Sequence, residues 1–265
     1  MSLAFTILGC GSSGGVPRAG QGWGACDPNN PKNRRRRCSL LVERTSESGA
    51  KTQVLVDMSP DLREQMLGLG IERLDAILLT HSHADHIHGI DEIRPLVILA
   101  RRKIDLHMDA ATAAIVRKNF GYIFETLPGS QYPALLSEHR IVTYQSVTLN
   151  GPGGSLDAVP FQLEHGEIGA LGFRFGDVAY TPDLNAIPKQ SRAYLEGLDL
   201  WIVDALRYTP HPSHFSLPET LDWIARLQPK RAVLTNLHTD LDFERLRSEL
   251  PSNVEPAFDG MKLFA

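Results

Sequence analysis

Apolar residues recur in short runs separated by turn-forming residues. Phe5 to Leu8, Ser39 to Glu43 and Gln53 to Asp57 each read as a strand bounded by Gly, Pro, Ser or Asn. Between the first two, Gly11 to Arg37 shows no helical period and reads as a long loop, a kind of segment that often carries function. Downstream the period alternates: a helix from about Pro60 to Leu69, a strand Ala76 to Thr80, a helix near Asp91 to Arg101, a strand Ile104 to Met108 and a helix Ala110 to Phe124. Past Pro128, strands are expected at Ile141 to Tyr144, Ala158 to Glu164 and Gly172 to Phe175, then a helix Pro188 to Leu198 and a strand Leu200 to Asp204. Ser216-Leu217-Pro218-Glu219 is a capping box with proline in the first turn, opening a helix expected to turn Leu221, Ile224, Ala225 and Leu227 inward. Strand Ala232 to Asn236 leads to His238. The alternation predicts an α/β fold. Two halves of similar β-then-α character predict two packed mixed sheets flanked by helices, and with no linker in view residues 1–265 read as one domain.

Composition narrows the classes of partner. With 27 Lys and Arg against 31 Asp and Glu the formal charge is −4, too acidic overall to draw in long nucleic acid, while small anions remain eligible. The opening Met1 to Ile7 has neither a basic stretch nor a long apolar core, and no run is long enough to span a membrane, so a soluble, cytoplasmic protein is expected, with a homodimer left open. Cys10, Cys26 and Cys38 are odd in number and unpatterned, which favours free thiols over a disulfide framework.

The chemistry concentrates at His81-Ser82-His83-Ala84-Asp85-His86, directly after the apolar strand Ala76 to Thr80. Open α/β sheets place ligands at the carboxyl ends of strands. Residues two apart in an extended segment share a face, so His81 and His83 can serve one ion while a turn after Ala84 sends Asp85 and His86 to another. Mixed imidazole and carboxylate ligands favour Zn or Mn over Mg or Ca. An isolated histidine is ordinarily a surface or hydrogen-bonded core residue, and His88, His107 and His139 are read that way. Further candidates, His165, Asp183 and His238, each follow a predicted strand.

This series, His81-x-His83-x-Asp85-His86 followed by His165, Asp183 and His238, resembles the ligand set of the metallo-β-lactamase superfamily over nearly the whole chain. The resemblance implies a four-layer αβ/βα sandwich and two divalent metal ions per chain. It implies one ion on His81, His83 and His165, a second on Asp85, His86 and His238, and Asp183 bridging. Asp57 matches the family's supporting acid, which would hold a ligand imidazole by its other nitrogen.

Gly9-Cys10-Gly11-Ser12-Ser13-Gly14 satisfies the dinucleotide fingerprint, but Pro17, Gly20, Gly22, Gly24, Pro28 and Pro31 forbid the helix that fingerprint needs. Leu8 to Pro17 is instead similar to the opening of the superfamily's phosphodiesterase branch, which includes tRNA 3′-processing endonucleases and the phosphoribosyl cyclic phosphodiesterase of phosphonate breakdown. Ser13 and Gly14 could present backbone N–H groups to phosphate, or the turn could be a plain tight turn. His165-Gly166 with Gly172-Phe173-Arg174-Phe175, and Pro212 to Ser216, resemble the same branch. There His214 matches a histidine outside the metal shell that assists proton transfer. Cys26 has no near cysteine partner and position 241 is Leu241, so no structural zinc is expected. Arg34 to Arg37 reads as a solvated loop, with a ring around an anionic substrate as the alternative.

The function expected is hydrolysis of a small cyclic ribosyl or nucleotide phosphodiester by a metal-activated hydroxide, with Asp85 orienting the nucleophile and His214 protonating the leaving oxygen. The alternatives are a tRNA 3′-processing type of endonuclease, a thioesterase or lactonase on the same ions, and a non-catalytic carrier.

Overall fold

Residues 2–126 and 128–264 are described by the computed structural model. The first half supplies strands β1 (Ser2–Gly9), β2 (Ser39–Thr45), β3 (Lys51–Val56), β4 (Ala76–Leu78), β5 (Ile104–Met108) and β6 (Leu136–Arg140). The second supplies β7 (Val147–Leu149), β8 (Leu156–His165), β9 (Ile168–Phe175), β10 (Val178–Thr181), β11 (Leu200–Asp204), β12 (Arg231–Thr235) and β13 (Val254–Pro256), and β14 (Lys262–Phe264) crosses back to the first sheet. Two seven-stranded sheets result, ordered β14-β1-β2-β3-β4-β5-β6 and β13-β12-β11-β10-β9-β8-β7. Each is antiparallel on one side (β1, β2, β3; β7, β8, β9, β10) and parallel on the other (β3 to β6; β10 to β13).

Side chains alternate across a strand, so each sheet divides its apolar residues between two faces. Phe5, Ile7, Leu40, Val42, Val54 and Val56 meet Phe173, Phe175, Tyr180, Ile202 and Val233 between the sheets. The intervening residues of the first sheet, Leu41, Leu55 and Ile77, face outward onto α1 (Leu62–Leu69), α3 (Arg94–Ala100) and α4 (Ala110–Phe120). Those of the second, Trp201, Val203 and Leu234, face α5 (Leu217–Leu227) and α6 (Phe243–Glu249). The four-layer αβ/βα sandwich follows. Each fully buried Leu, Val or Phe in these layers contributes about 1.5–3 kcal/mol of transfer free energy, which is offset by chain ordering.

Several boundaries differ from expectation. The run Ile141 to Tyr144 is no strand: Tyr144 has φ 70°, and the segment is the crossover between the sheets, flanked by β6 and β7. The helix expected at Asp91 to Arg101 is split into a 3-10 turn Ile90–Ile93 and α3, because Pro95 has no N–H for the preceding turn. Pro188 to Leu198 forms only a 3-10 helix, Lys189–Leu195. The capping box of α5 is present, but Ala225 faces solvent and Leu221 and Leu227 are half-buried, while Leu217, Thr220 and Ile224 are its buried residues. Among the described residues no helix is long and apolar enough to cross a membrane. All three cysteines are free and buried.

Candidate metal centre

The site forms where strand ends of both sheets converge. Val54 pairs with Ala76 and Val56 with Leu78, so β3 and β4 end side by side and deliver Asp57 next to Thr80 and His81. The Asp57 backbone is left-handed (φ 66°), an uncommon state for a residue with a Cβ, and its N–H donates to the Leu78 carbonyl at 2.9 Å. The short helix α2 (Ala84–Ile87) then carries Asp85 and His86, and the Met58 N–H ties it to β3 by donating to the His86 carbonyl at 2.7 Å. His165 closes β8, Asp183 follows β10, and Asp204 closes β11.

Asp57 fixes two imidazoles. Its Oδ1 accepts from the Thr80 N–H (2.8 Å), and its Oδ2 accepts from the Thr80 hydroxyl (2.8 Å) and from Nδ1–H of His86 (2.7 Å). Having given its own proton away, the Thr80 oxygen accepts from Nδ1–H of His81 at 2.9 Å. His165 donates Nδ1–H to the Ser213 carbonyl at 2.6 Å. In His81, His86 and His165 alike, the proton is thereby held on Nδ1 and the Nε2 lone pair is turned inward.

These nitrogens gather around Asp183. Its Oδ2 lies 3.8 Å from His81 Nε2 and 3.5 Å from His165 Nε2, while its Oδ1 lies 3.3 Å from His86 Nε2. Asp85 Oδ2 is 3.5 Å from His86 Nε2, and His83 Nδ1 is 3.1 Å from His165 Nε2. His81, His83 and His165 each bring a ligand atom within 4.8 Å of the others, and so do His81, His86 and Asp183. The Nε2 atoms of His81 and His86 are buried with no aligned hydrogen-bond partner. An imidazole nitrogen that faces a carboxylate oxygen in a buried site needs either a proton or a metal ion between them. Burial opposes charge on His86, yet Asp183, Asp57 and Asp85 together push its imidazolium well above the ordinary value. His81, with fewer acidic neighbours, is pulled well below by burial and by His86. The donor set fits divalent metal, with Asp183 Oδ2 turned to His81 and His165 and its Oδ1 to His86.

His214 stands at the rim. Its Nδ1 is 2.8 Å from Asp204 Oδ2, and its ring centroid is 4.6 Å from that of His165. Burial disfavours its imidazolium, but Asp204 and then Asp183 outweigh this and push it up to about 9. Two sequence-expected ligands fall outside these groups: Asp85, which approaches only His86, and His238. His238 Nε2 is engaged by the Arg18 guanidinium at 2.5 Å, and its Nδ1 faces Thr239 Oγ1 (3.2 Å) and Asp240 Oδ1 (3.4 Å).

Known proteins share this fold. Residues 52–236, more than half of the chain, match the model of the beta-lactamase superfamily domain. The chain belongs to the metallo-β-lactamase superfamily. A crystal structure described as a new diphosphatase from the PhnP family is 35% identical with a TM-score of 0.88, the alignment covering 100% of this chain and 98% of that one. An octanoyltransferase of Porphyromonas gingivalis is 30% identical over 261 residues, 97% of this chain and 50% of that protein. A ribonuclease Z of Bradyrhizobium diazoefficiens is 28% identical over 177 residues, 64% of this chain and 50% of that protein. The chain thus spans about half the length of the curated relatives it matches. The likeness to the phosphodiesterase branch of the metallo-β-lactamase superfamily, read from the glycine-rich opening and from His214, holds.

Within this metallo-β-lactamase fold the glycine-rich opening is a tight turn, closed by the Gly15 N–H donating to the Ser12 carbonyl at 2.7 Å and seated on Leu237. Ser13 is exposed, and the Arg18 side chain lies against Gly14. The arginine run is not uniformly solvated: Arg34 is exposed, Arg36 and Arg37 are half-buried and Arg35 is buried. The Arg35 guanidinium donates to the carbonyls of Leu241 (2.7 Å) and His238 (3.3 Å), while Arg37 pairs with Asp61 at 3.0 Å. Leu241 is a core residue, and Cys26 Sγ packs beside Arg35 Nη1 at 3.9 Å. Sequence reasoning missed Asp204, Thr80 and Arg18. Asp204 carried the same signal as Asp57, an acid closing an apolar strand, but Thr80 and Arg18 carried none.

Proposed function

We propose that this chain is a metal-dependent phosphodiesterase acting on a small anionic phosphodiester, first among them a cyclic ribosyl or nucleotide phosphate. The observation that carries this reading is the His214–Asp204 pair in the His/Asp cluster: His214 forms a third close group with His165 and Asp183, next to the two that share His81. An alkoxide leaving phosphorus needs a proton more than a thiolate leaving a carbonyl does, because it is much the stronger base. The likeness to a protein described as a diphosphatase supports phosphorus as the reacting centre.

Zinc or manganese, two ions when bound, would be held by His81, His83 and His165 on one side and by Asp85, His86 and His238 on the other, with Asp183 between, and would supply Lewis acidity and a water of lowered pKa. Asp57 keeps His81 and His86 in the tautomer that offers Nε2. Asp85, half-buried at the mouth, orients the attacking water through its carboxylate. His214, braced through Nδ1 by Asp204, turns Nε2–H towards the leaving oxygen and gives up that proton as the P–O bond breaks.

His214→Ala should lower turnover of small phosphodiesters by about 10²- to 10⁴-fold while leaving the metal content unchanged. Unaltered turnover would overturn the assignment. A thioesterase is the second reading, favoured by the match to a protein described as an octanoyltransferase, of which this chain spans half. Turnover of octanoyl thioesters without turnover of phosphodiesters would establish it.

A further inference from the structure

The loop that delivers His214 also delivers a second imidazole, His211, which the proposed reaction leaves unused. Residues 207–214 leave the end of β11 and return at α5, and the ends of this loop are pinned: the Leu206 N–H donates to the Phe215 carbonyl at 2.9 Å and the Leu217 N–H to the Arg207 carbonyl at 2.8 Å. Within the loop the Arg207 guanidinium donates to the carbonyls of Thr209 (3.1 Å) and Pro210 (2.6 Å). His211 lies between Pro210 and Pro212, whose rings fix their own φ and restrict the residue between them. The loop also presses on the turn after His165, where a Cβ on Gly166 would come within 2.9 Å of the Ser213 Cβ. The backbone that carries His211 is therefore held in place.

Ser213 sets the state of two imidazoles. Its carbonyl accepts Nδ1–H of His165 at 2.6 Å, while its own N–H donates to Nδ1 of His211 at 3.3 Å and its hydroxyl lies 3.2 Å from the same nitrogen. A ring nitrogen that accepts carries no proton, so His211 is the neutral tautomer with its proton on Nε2. Among the described residues that N–H has no partner. The ring is half-buried and lies 5.2 Å, centroid to centroid, from that of His214, which in turn is 4.6 Å from that of His165.

We propose that His211 is a specificity-determining residue that donates Nε2–H to a sugar oxygen of the leaving group. His214 gives its proton to the leaving oxygen, and His211 stands on the far side of His214 from His165, where the atoms of the leaving group lie rather than the phosphoryl oxygens. A neutral, fixed N–H suits an uncharged hydroxyl or ether oxygen, whereas phosphoryl charge is matched by cations. In a cyclic ribosyl phosphodiester the leaving oxygen stays on the sugar that carries such oxygens, so this contact favours sugar phosphodiesters over aryl ones. The inference rests on the phosphodiesterase reading above, with His214 as the proton donor.

The test is steady-state kinetics of Zn²⁺-loaded wild type, His211→Phe and His211→Gln on cytidine 2′,3′-cyclic phosphate and on bis(p-nitrophenyl) phosphate, which has no sugar. Phenylalanine keeps a ring beside His214 without an N–H, and glutamine restores an N–H at the reach of Nε2. His211→Phe should lower the ratio of kcat/KM for the cyclic nucleotide to that for the aryl ester by about fivefold to tenfold, through a higher KM for the nucleotide, and His211→Gln should recover most of it. A ratio in His211→Phe equal to that of wild type, or one in His211→Gln no higher than in His211→Phe, would overturn the role of His211 and leave the phosphodiesterase reading standing. Hydrolysis of neither ester by loaded wild type would overturn both.

Discussion

Asp57 and Asp204 do parallel work in the two sheets. Each is an acid at the end of an apolar strand, fully buried, and spends its carboxylate on an imidazole: His86 for Asp57, His214 for Asp204. For His214 the consequence can be measured as a dependence on pH. Its folded-state pKa, about 9, lies above its ordinary value of 6.5, so the pairing contributes stability fully below about pH 6.5 and loses it as pH rises through about 9. In chelator-treated protein the gap in unfolding free energy between wild type and His214→Gln should therefore be smaller at about pH 10 than at about pH 6.5, and denaturant melts at the two values would show it. A gap that grows with pH would contradict the pairing. Of these residues Asp57 was legible in the sequence through the resemblance, whereas Asp204 was read only as the end of a strand. An acid's partner depends on register across a sheet, and one sequence does not carry that.

Among the elements, the shortest α-helix of the described residues governs the site. α2 is four residues long and has no side-chain cap, so it cannot hold its own geometry. It is held by its stitching to the end of β3, where the Gly89 N–H donates to the Met58 carbonyl at 2.9 Å. Gly89 also lets the chain pass so close to the Ser59 carbonyl that a Cβ would overlap it. Gly89→Ala should accordingly cost about 1–3 kcal/mol in a denaturant melt and weaken Zn²⁺ binding in calorimetry, since Asp85 and His86 ride on α2. Full retention of both would show that α2 is held some other way. The strands with sustained apolar runs and the capping box of α5 were legible because local pattern and tertiary role agree. The run Ile141 to Tyr144 misled for the opposite reason. Its β-branched and aromatic residues suit a strand, but the chain needs a crossover there, and tertiary context overrides such preferences.

At the scale of the whole molecule the two halves repeat one plan: antiparallel strands, then parallel strands with helices outside, packed face to face. Strand ends of both sheets that carry candidate ligands meet at one edge, which explains why residues as distant as His81, His165 and Asp183 converge. The superfamily was legible because four candidate ligands lie within six positions, His81 to His86. The engagement of His238 by Arg18 was not, because it depends on how a long, irregular loop folds back over the site. Two ions acting on a phosphodiester are the centre of this account. The most direct test is the rate of bis(p-nitrophenyl) phosphate hydrolysis by chelator-stripped protein as Zn²⁺ or Mn²⁺ is added back in known equivalents. The account predicts no turnover without metal and a rate that rises until about two equivalents per chain are bound, then levels off. Absence of turnover at every loading, or full turnover in the stripped protein, would contradict it.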